Sequence, residues 1–115
     1  MDILVITFIF IILTNKYGKP DIIHSHFIGN GYIVVKSLKS KNIPLIHTEH
    51  LSTMNQDELP KYLVEIGKKT YHELDKILTV SSYLSISIRK KFNVDSTVVP
   101  NIVDASSFSY NINRK

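Results

Sequence analysis

Cysteine is absent from the 115-residue chain, so neither a disulfide framework nor a thiolate metal site is open to it. A reducing cytoplasm is compatible with that absence. No Gly-x-Ser-x-Gly elbow is present to expose a nucleophilic serine. The full dinucleotide fingerprint is missing, which leaves Gly29-Asn30-Gly31 only a weak candidate for cradling a phosphate. Repeats of solenoid period and low-complexity tracts are also missing, which excludes arrays and disordered linkers. A membrane span is missing as well: the apolar run Ile3 to Leu13 is short of the roughly 20 residues a helix needs to cross a bilayer core. It makes a poor signal peptide, because only Asp2, and no basic residue, stands before it. The β-branched content of this run favours a strand, whereas its continuation through Thr14-Asn15-Lys16-Tyr17 to Gly18 has the form of a helix closed by a glycine.

What is present is the composition of an ordinary globular protein, 43% hydrophobic and 21% charged, which argues against disorder. The formal net charge of +4 leans mildly toward phosphate-bearing ligands or an anionic membrane surface. A chain of 115 residues holds one domain with a modest core but falls short of a complete doubly wound fold.

The most informative stretch is Pro44-Leu45-Ile46-His47-Thr48-Glu49-His50, a short apolar run that breaks off into histidines and a carboxylate. The same grammar recurs at Pro20-Asp21-Ile22-Ile23-His24-Ser25-His26, at Lys76-Ile77-Leu78-Thr79-Val80-Ser81-Ser82 and at Thr97-Val98-Val99-Pro100-Asn101. The repetition predicts an α/β fold with parallel strands near 22–26, 45–48, 77–80 and 97–99. Between them the sequence predicts a turn at Phe27 to Gly31 and a helix over 32–39. A functional-length loop is expected over 51–59, with helices over 61–74 and from Ser82 to about Phe92. Lys61, Glu65, Lys68 and Lys69 read as a solvated helix face, and Gly67 as a local weakness of about 1 kcal/mol. The tail 111–115 shows no packing pattern and is expected to fray.

In an open α/β sheet, ligands bind in the crevice at the carboxyl ends of the strands. His26, His50, Ser81 and Asn101 are therefore expected along one edge. His24 and His26, two apart on a strand, share a face. The histidines and Glu49 are all permissible zinc ligands. His47 and His50, however, are three apart and point to opposite sides of a strand, so a histidine-rich metal-binding protein is the weaker alternative and no metal is expected. Ser81 reads as the cap of the following helix.

The order and spacing of these four motifs, together with Val99-Pro100-Asn101-Ile102-Val103-Asp104 and Phe108, resemble the amino-terminal domain of the retaining, GT-B fold glycosyltransferases of family 4. The resemblance covers about Lys19 to Phe108 and tips the amino-terminal run toward helix. It implies a partial Rossmann-like domain over 19–110, preceded by the apolar segment 1–18. It also implies a hexosyltransferase-type activity in polysaccharide biosynthesis, with transfer to a glycan or lipid-linked acceptor. The nucleotide-sugar donor belongs to a separate carboxyl-terminal GT-B domain, so this chain is expected to bind no cofactor and to be inactive alone. Ile102 departs from the family, which often has glycine there, and the family's first strand with its Gly-rich turn has no counterpart.

On the same resemblance, His50 matches the histidine that reaches into the cleft near the donor sugar and is the expected catalytic residue. His26 and Glu49 are expected to contact substrate, with Glu49 equally suited to brace its loop. Asn101 takes a structural place near the cleft. A cytoplasmic location, with peripheral contact at the inner face of the membrane, and no nucleic-acid partner complete the expectation. The rival is a non-enzymatic truncated remnant or interaction module, for which an uncovered apolar face would be the sign.

Overall fold

In the computed structural model, residues 2–108 are described; the expected frayed tail at 111–115 lies outside them. The chain alternates helix and strand: α1 (Ile3–Tyr17), β1 (Ile23–His26), α2 (Ile28–Leu38), β2 (Leu45–Glu49), α3 (Lys61–Thr70), β3 (Lys76–Thr79), α4 (Ser82–Phe92) and β4 (Thr97–Val98). The four strands pair in parallel in the order β1-β2-β3-β4. Each parallel step needs a crossover of a dozen or more residues, which α2, α3 and α4 supply.

The amino-terminal run is a helix. Asp2 caps it by accepting the Leu4 N–H at 3.3 Å, and Gly18 ends it at φ 88°, donating its N–H to the Thr14 carbonyl. Thr7 and Thr14 donate their hydroxyls to the carbonyls of Ile3 and Phe10, so both stay satisfied inside an apolar helix. α1 packs on α2, yet none of its 15 residues is buried, and Leu4 and Phe8 are 74% and 64% exposed. No described helix is long and apolar enough to cross a membrane.

Burial separates the two faces of the sheet. Ser25, Leu45, His47, Glu49, Ile77 and Thr79, which share one face by alternation and register, are all buried, whereas on the other face His24, His26 and Lys76 are exposed, Ile46 and Leu78 are half-buried and Thr48 is buried. A parallel sheet is ordinarily covered on both faces; here the helices cover one. The core between sheet and helices is built from Ile28, Met54, Leu63, Tyr71, Ile77, Leu84, Ile88 and Phe92.

Two local expectations are corrected. Gly29-Asn30-Gly31 is no turn: α2 begins at Ile28, and the turn is made by Phe27 alone at φ 63°. Gly31 lies against β2, where an added Cβ would stand 3.0 Å from His47 Nδ1. The predicted helix over 61–74 stops at Thr70 and tightens into a 3₁₀ turn over Tyr71–Glu73, which turns the Tyr71 ring into the core at 1% exposure.

Gly67 also has a packing reason. The Phe92 ring lies against it, and a Cβ there would meet ring carbons at 2.4 and 2.6 Å. Phe92 is itself buried and packed against Tyr71 at a tilt, 4.9 Å between centroids, so it has little room to retreat. Gly67→Ala is therefore expected to destabilise by about 1–3 kcal/mol of overpacking, offset in part by the roughly 1 kcal/mol of helix propensity that alanine adds. Urea unfolding of Gly67→Ala and of Gly67→Ala/Phe92→Leu tests this; the second change should recover part of the loss. A stabilised single variant would contradict the packing account.

Candidate functional site at the carboxyl edge of the sheet

The parallel register sets His26 at the end of β1 beside Thr48 of β2, so the residues that follow the two strands, Phe27 after His26 and His50 after Glu49, leave the sheet at the same edge. There His26 Nδ1 and His50 Nε2 lie 3.0 Å apart in a hydrogen bond. The two rings stack at 5.2 Å between centroids, with Phe27 also 5.2 Å from His50 and His24 4.4 Å from His26. His24 is tied by Nε2 to Thr48 Oγ1 at 2.7 Å. The exposed end of the sheet thus carries three imidazoles and one phenyl ring.

Phe27 was not marked out by the sequence, and its conformation is the strained point of the site. A bulky residue at positive φ is an outlier, costing of order 1–3 kcal/mol and held only where the surroundings over-determine it. Those surroundings are visible. The Phe27 N–H donates to the Thr48 carbonyl at 3.2 Å, and its own carbonyl accepts the N–H groups of Asn30 and Gly31 at 2.9 and 3.1 Å. The Asn30 side-chain amide donates to the His26 carbonyl at 2.9 Å.

Burial first, and then the neighbouring charges of His24, His50 and His47, hold the His26 imidazole below its ordinary value of 6.5. The neutral form is therefore favoured at pH 7. The sign follows: the unfolded state binds this proton more readily, so below about 6.5 the site loses a modest part of its stability as pH falls through the folded value. An NMR titration should place the His26 midpoint below 6.5 and show it rising in His50→Gln, though incompletely, because burial remains. A midpoint unmoved by that substitution would remove the electrostatic coupling.

Behind this exposed group lies a buried polar chain that the sequence reading did not assemble. Ser25 Oγ is 2.9 Å from His47 Nδ1, His47 Nε2 is 3.3 Å from Glu49 Oε2, and the Tyr71 hydroxyl donates to the same Oε2 at 2.9 Å. Glu49 Oε1 accepts the backbone N–H groups of His50 and Leu51 at 3.0 and 2.9 Å. An ionised carboxylate accepts only, so neutral His47 carries its proton on Nε2 and Ser25 donates to Nδ1. The signals were available: His47 and Glu49 are two apart on β2 and so share a face, and Ser25 stands opposite His47 in the register. Tyr71 gave no such signal, since it fits an apolar helix stripe equally well.

Of the two expectations for Glu49, contact with substrate and bracing of its loop, this arrangement has the geometry of the second. A carboxylate offers about four lone-pair sites, all four are taken, and the residue is 0% exposed. Glu49 is a brace. Burial pushes its carboxyl up, but the bonds from His47, the Leu51 N–H and Tyr71, with the His47 charge, outweigh it and leave the group below its ordinary value. Burial, and then the Glu49 charge and hydrogen bond, push the Tyr71 hydroxyl far up, so it stays a donor.

Ser81, at the end of β3, accepts the Leu84 N–H at 3.2 Å as the cap of α4. Asn101 is exposed beyond β4, where Asp104 organises the following turn through Ser106 and Ser107. The edge therefore brings His26 and His50 into contact, while Ser81 and Asn101 serve separate strand ends. Among the described residues no group of three or more histidine, aspartate or glutamate side chains is arranged to hold a metal ion.

No curated protein and no solved structure matches the chain. The model of Glycosyltransferase Family 4 matches residues 5–107, a span that takes in all four strands, the imidazole pair and the buried carboxylate, and on that match the chain belongs to the family.

Proposed function

We propose that this chain forms the acceptor-facing wall of a glycosyltransferase that moves a sugar from a nucleotide-sugar to a hydroxyl of a glycan or lipid-linked acceptor. The observation that carries the reading is the hydrogen-bonded pair of His26 and His50 at the carboxyl edge of the sheet. When both rings are neutral, one donates to the other, and whichever does so, one ring N–H and one ring lone pair remain outside the pair. A sugar hydroxyl, which both donates and accepts, is complementary to that combination. No protein hydrogen bond among the described residues uses His26 Nε2 or His50 Nδ1, the two nitrogens concerned.

His50 is the residue assigned to contact reacting sugar, and His26 holds it and shares its proton. The donor phosphates and the leaving group are assigned to a carboxyl-terminal partner domain, so the isolated chain binds no nucleotide-sugar and turns nothing over. Work on the cytoplasmic face of a membrane, in polysaccharide assembly, is part of the same reading. It is supported by the exposed apolar residues of α1 with Lys16 and Lys19 at its end. Transfer assays of the complete enzyme with and without His50 test the assignment.

A second reading, that the chain acts as a non-enzymatic interaction module, is favoured by that same helix and the bare sheet face. An all-round apolar helix belongs in a larger core. Transfer assays of the complete enzyme, set beside pull-down measurements on the 115-residue chain, separate the two, because only the module reading needs a stable partner in the absence of any transfer.

A further inference from the structure

We infer that Tyr71 and Glu49 form a positioning device for His50, with the buried carboxylate converting the place of a distant aromatic ring into the direction of the cleft imidazole. The inference rests on the reading of His50 above only for its catalytic meaning; the positioning itself is a matter of geometry. β2 ends at Glu49, and the two residues that follow have no ladder to hold them. Their N–H groups are held by one atom, Glu49 Oε1, at 3.0 and 2.9 Å. Two adjacent amides converging on one oxygen fix the peptide planes on both sides of the His50 Cα, and hence the direction in which its side chain departs.

Oε1 has a fixed position only because Oε2 does. Oε2 is held by the Tyr71 hydroxyl at 2.9 Å and by His47 Nε2 at 3.3 Å. Tyr71 is 1% exposed and packed on Phe92, while His47, 0% exposed, is held at its other nitrogen by Ser25. Three buried side chains, Ser25 of β1, His47 of β2 and Tyr71 of the turn after α3, thus hold one carboxylate, Ser25 through His47, and the other end of that carboxylate grips the backbone of the exposed histidine. The 3.0 Å bond from His50 to His26 lies at the output of this chain. Neither Tyr71 nor Glu49 touches the ligand side of the imidazoles, so both act through His50.

The test uses the 115-residue chain labelled with ¹⁵N, reading the coupling across the His26–His50 hydrogen bond and the exchange of the His50 and Leu51 amides. In Glu49→Asp the charge stays but the side chain is one methylene shorter and cannot span from Tyr71 to the two amides. The inter-imidazole coupling should be lost, and both amides should exchange at least about tenfold faster, since a bond to a charged acceptor is worth a power of ten or more in an opening equilibrium. Glu49→Gln keeps an oxygen for the amides and should retain the coupling. Tyr71→Phe removes the hydroxyl that donates to Oε2 and should weaken the coupling and speed the two amides, whereas Leu84→Val, a core change that leaves the carboxylate alone, should do neither.

Coupling that survives in folded Glu49→Asp would overturn the inference, as would equal losses in Tyr71→Phe and Leu84→Val. If Glu49→Asp does not fold, the comparison of Tyr71→Phe with Leu84→Val decides alone. None of these readouts involves sugar transfer, so failure of the positioning and failure of the functional assignment are told apart.

Discussion

Glu49→Leu is expected to cost the fold roughly 3–5 kcal/mol, because several buried donors lose their acceptor at once and each one left unsatisfied costs about 1–3 kcal/mol. Leucine is close to glutamate in volume, so no large cavity accounts for the loss. What goes is the acceptor for four donors: His47 Nε2, the Tyr71 hydroxyl and the N–H groups of His50 and Leu51. With His47 and Glu49 both 0% exposed, water cannot replace the lost oxygens without opening the core. Domains of this kind keep about 5–15 kcal/mol in total, so the urea midpoint should fall by a large fraction or the variant should be unfolded at the outset. Glu49→Gln, which keeps one oxygen and can reverse the His47 tautomer, should lose much less. A leucine variant within about 1 kcal/mol of the parent, the scale of an ordinary substitution, would show that the network is not what holds the sheet to α3.

The same carboxylate sets a direction for pH. Its folded value is depressed below the unfolded one, so its contribution is fully present above an unfolded carboxylate value of about 4.3 and is lost as pH falls through the folded value. Acid unfolding should therefore be less steep in Glu49→Gln than in the parent, measured by circular dichroism from neutral pH downward. Equal slopes would place the acid-sensitive group elsewhere.

How far the sequence goes is visible strand by strand. Pro44 to Glu49 was legible because an apolar run bounded by proline and broken by charge has few other homes, and the register then follows from burial on one face. The start of α2 was not legible. Gly29 and Gly31 have the propensities of a turn, and only the approach of His47, which lies 16 residues beyond Gly31 in the chain, explains why a glycine is needed inside the helix. The same holds for Gly67 and Phe92: a local rule priced the glycine as a defect, while its cause is a contact made across the fold. In the site, His26 and His50 were legible as strand-end residues. For Glu49 the loop brace was one of two open readings, and its partners were not legible, because Tyr71, which completes its hydrogen bonding, is 22 residues away and looks apolar in sequence.

His50→Ala in the complete enzyme is expected to lower turnover roughly 10²–10³-fold, the cost of losing one preorganised polar contact to the transition state. The fold should be unaffected. His50 is only half-buried, its hydrogen bond to His26 is exposed, and the Glu49 brace holds its backbone N–H, which alanine retains. His26→Ala should lose less, because it removes the partner of the imidazole and leaves the imidazole itself. The effect belongs in kcat more than in KM if the contact forms with the reacting sugar, since an interaction strengthened only in the transition state leaves ground-state binding nearly unchanged. In the same assay the isolated 115 residues should give no transfer, because the proposed division assigns to the partner domain the holding of the donor's phosphates while the anomeric carbon is exposed. Robust transfer by the isolated chain would refute that division of labour. Unchanged turnover in His50→Ala, with the fold intact, would instead take His50 out of the site and leave the imidazole pair as a structural closure of β1 on β2.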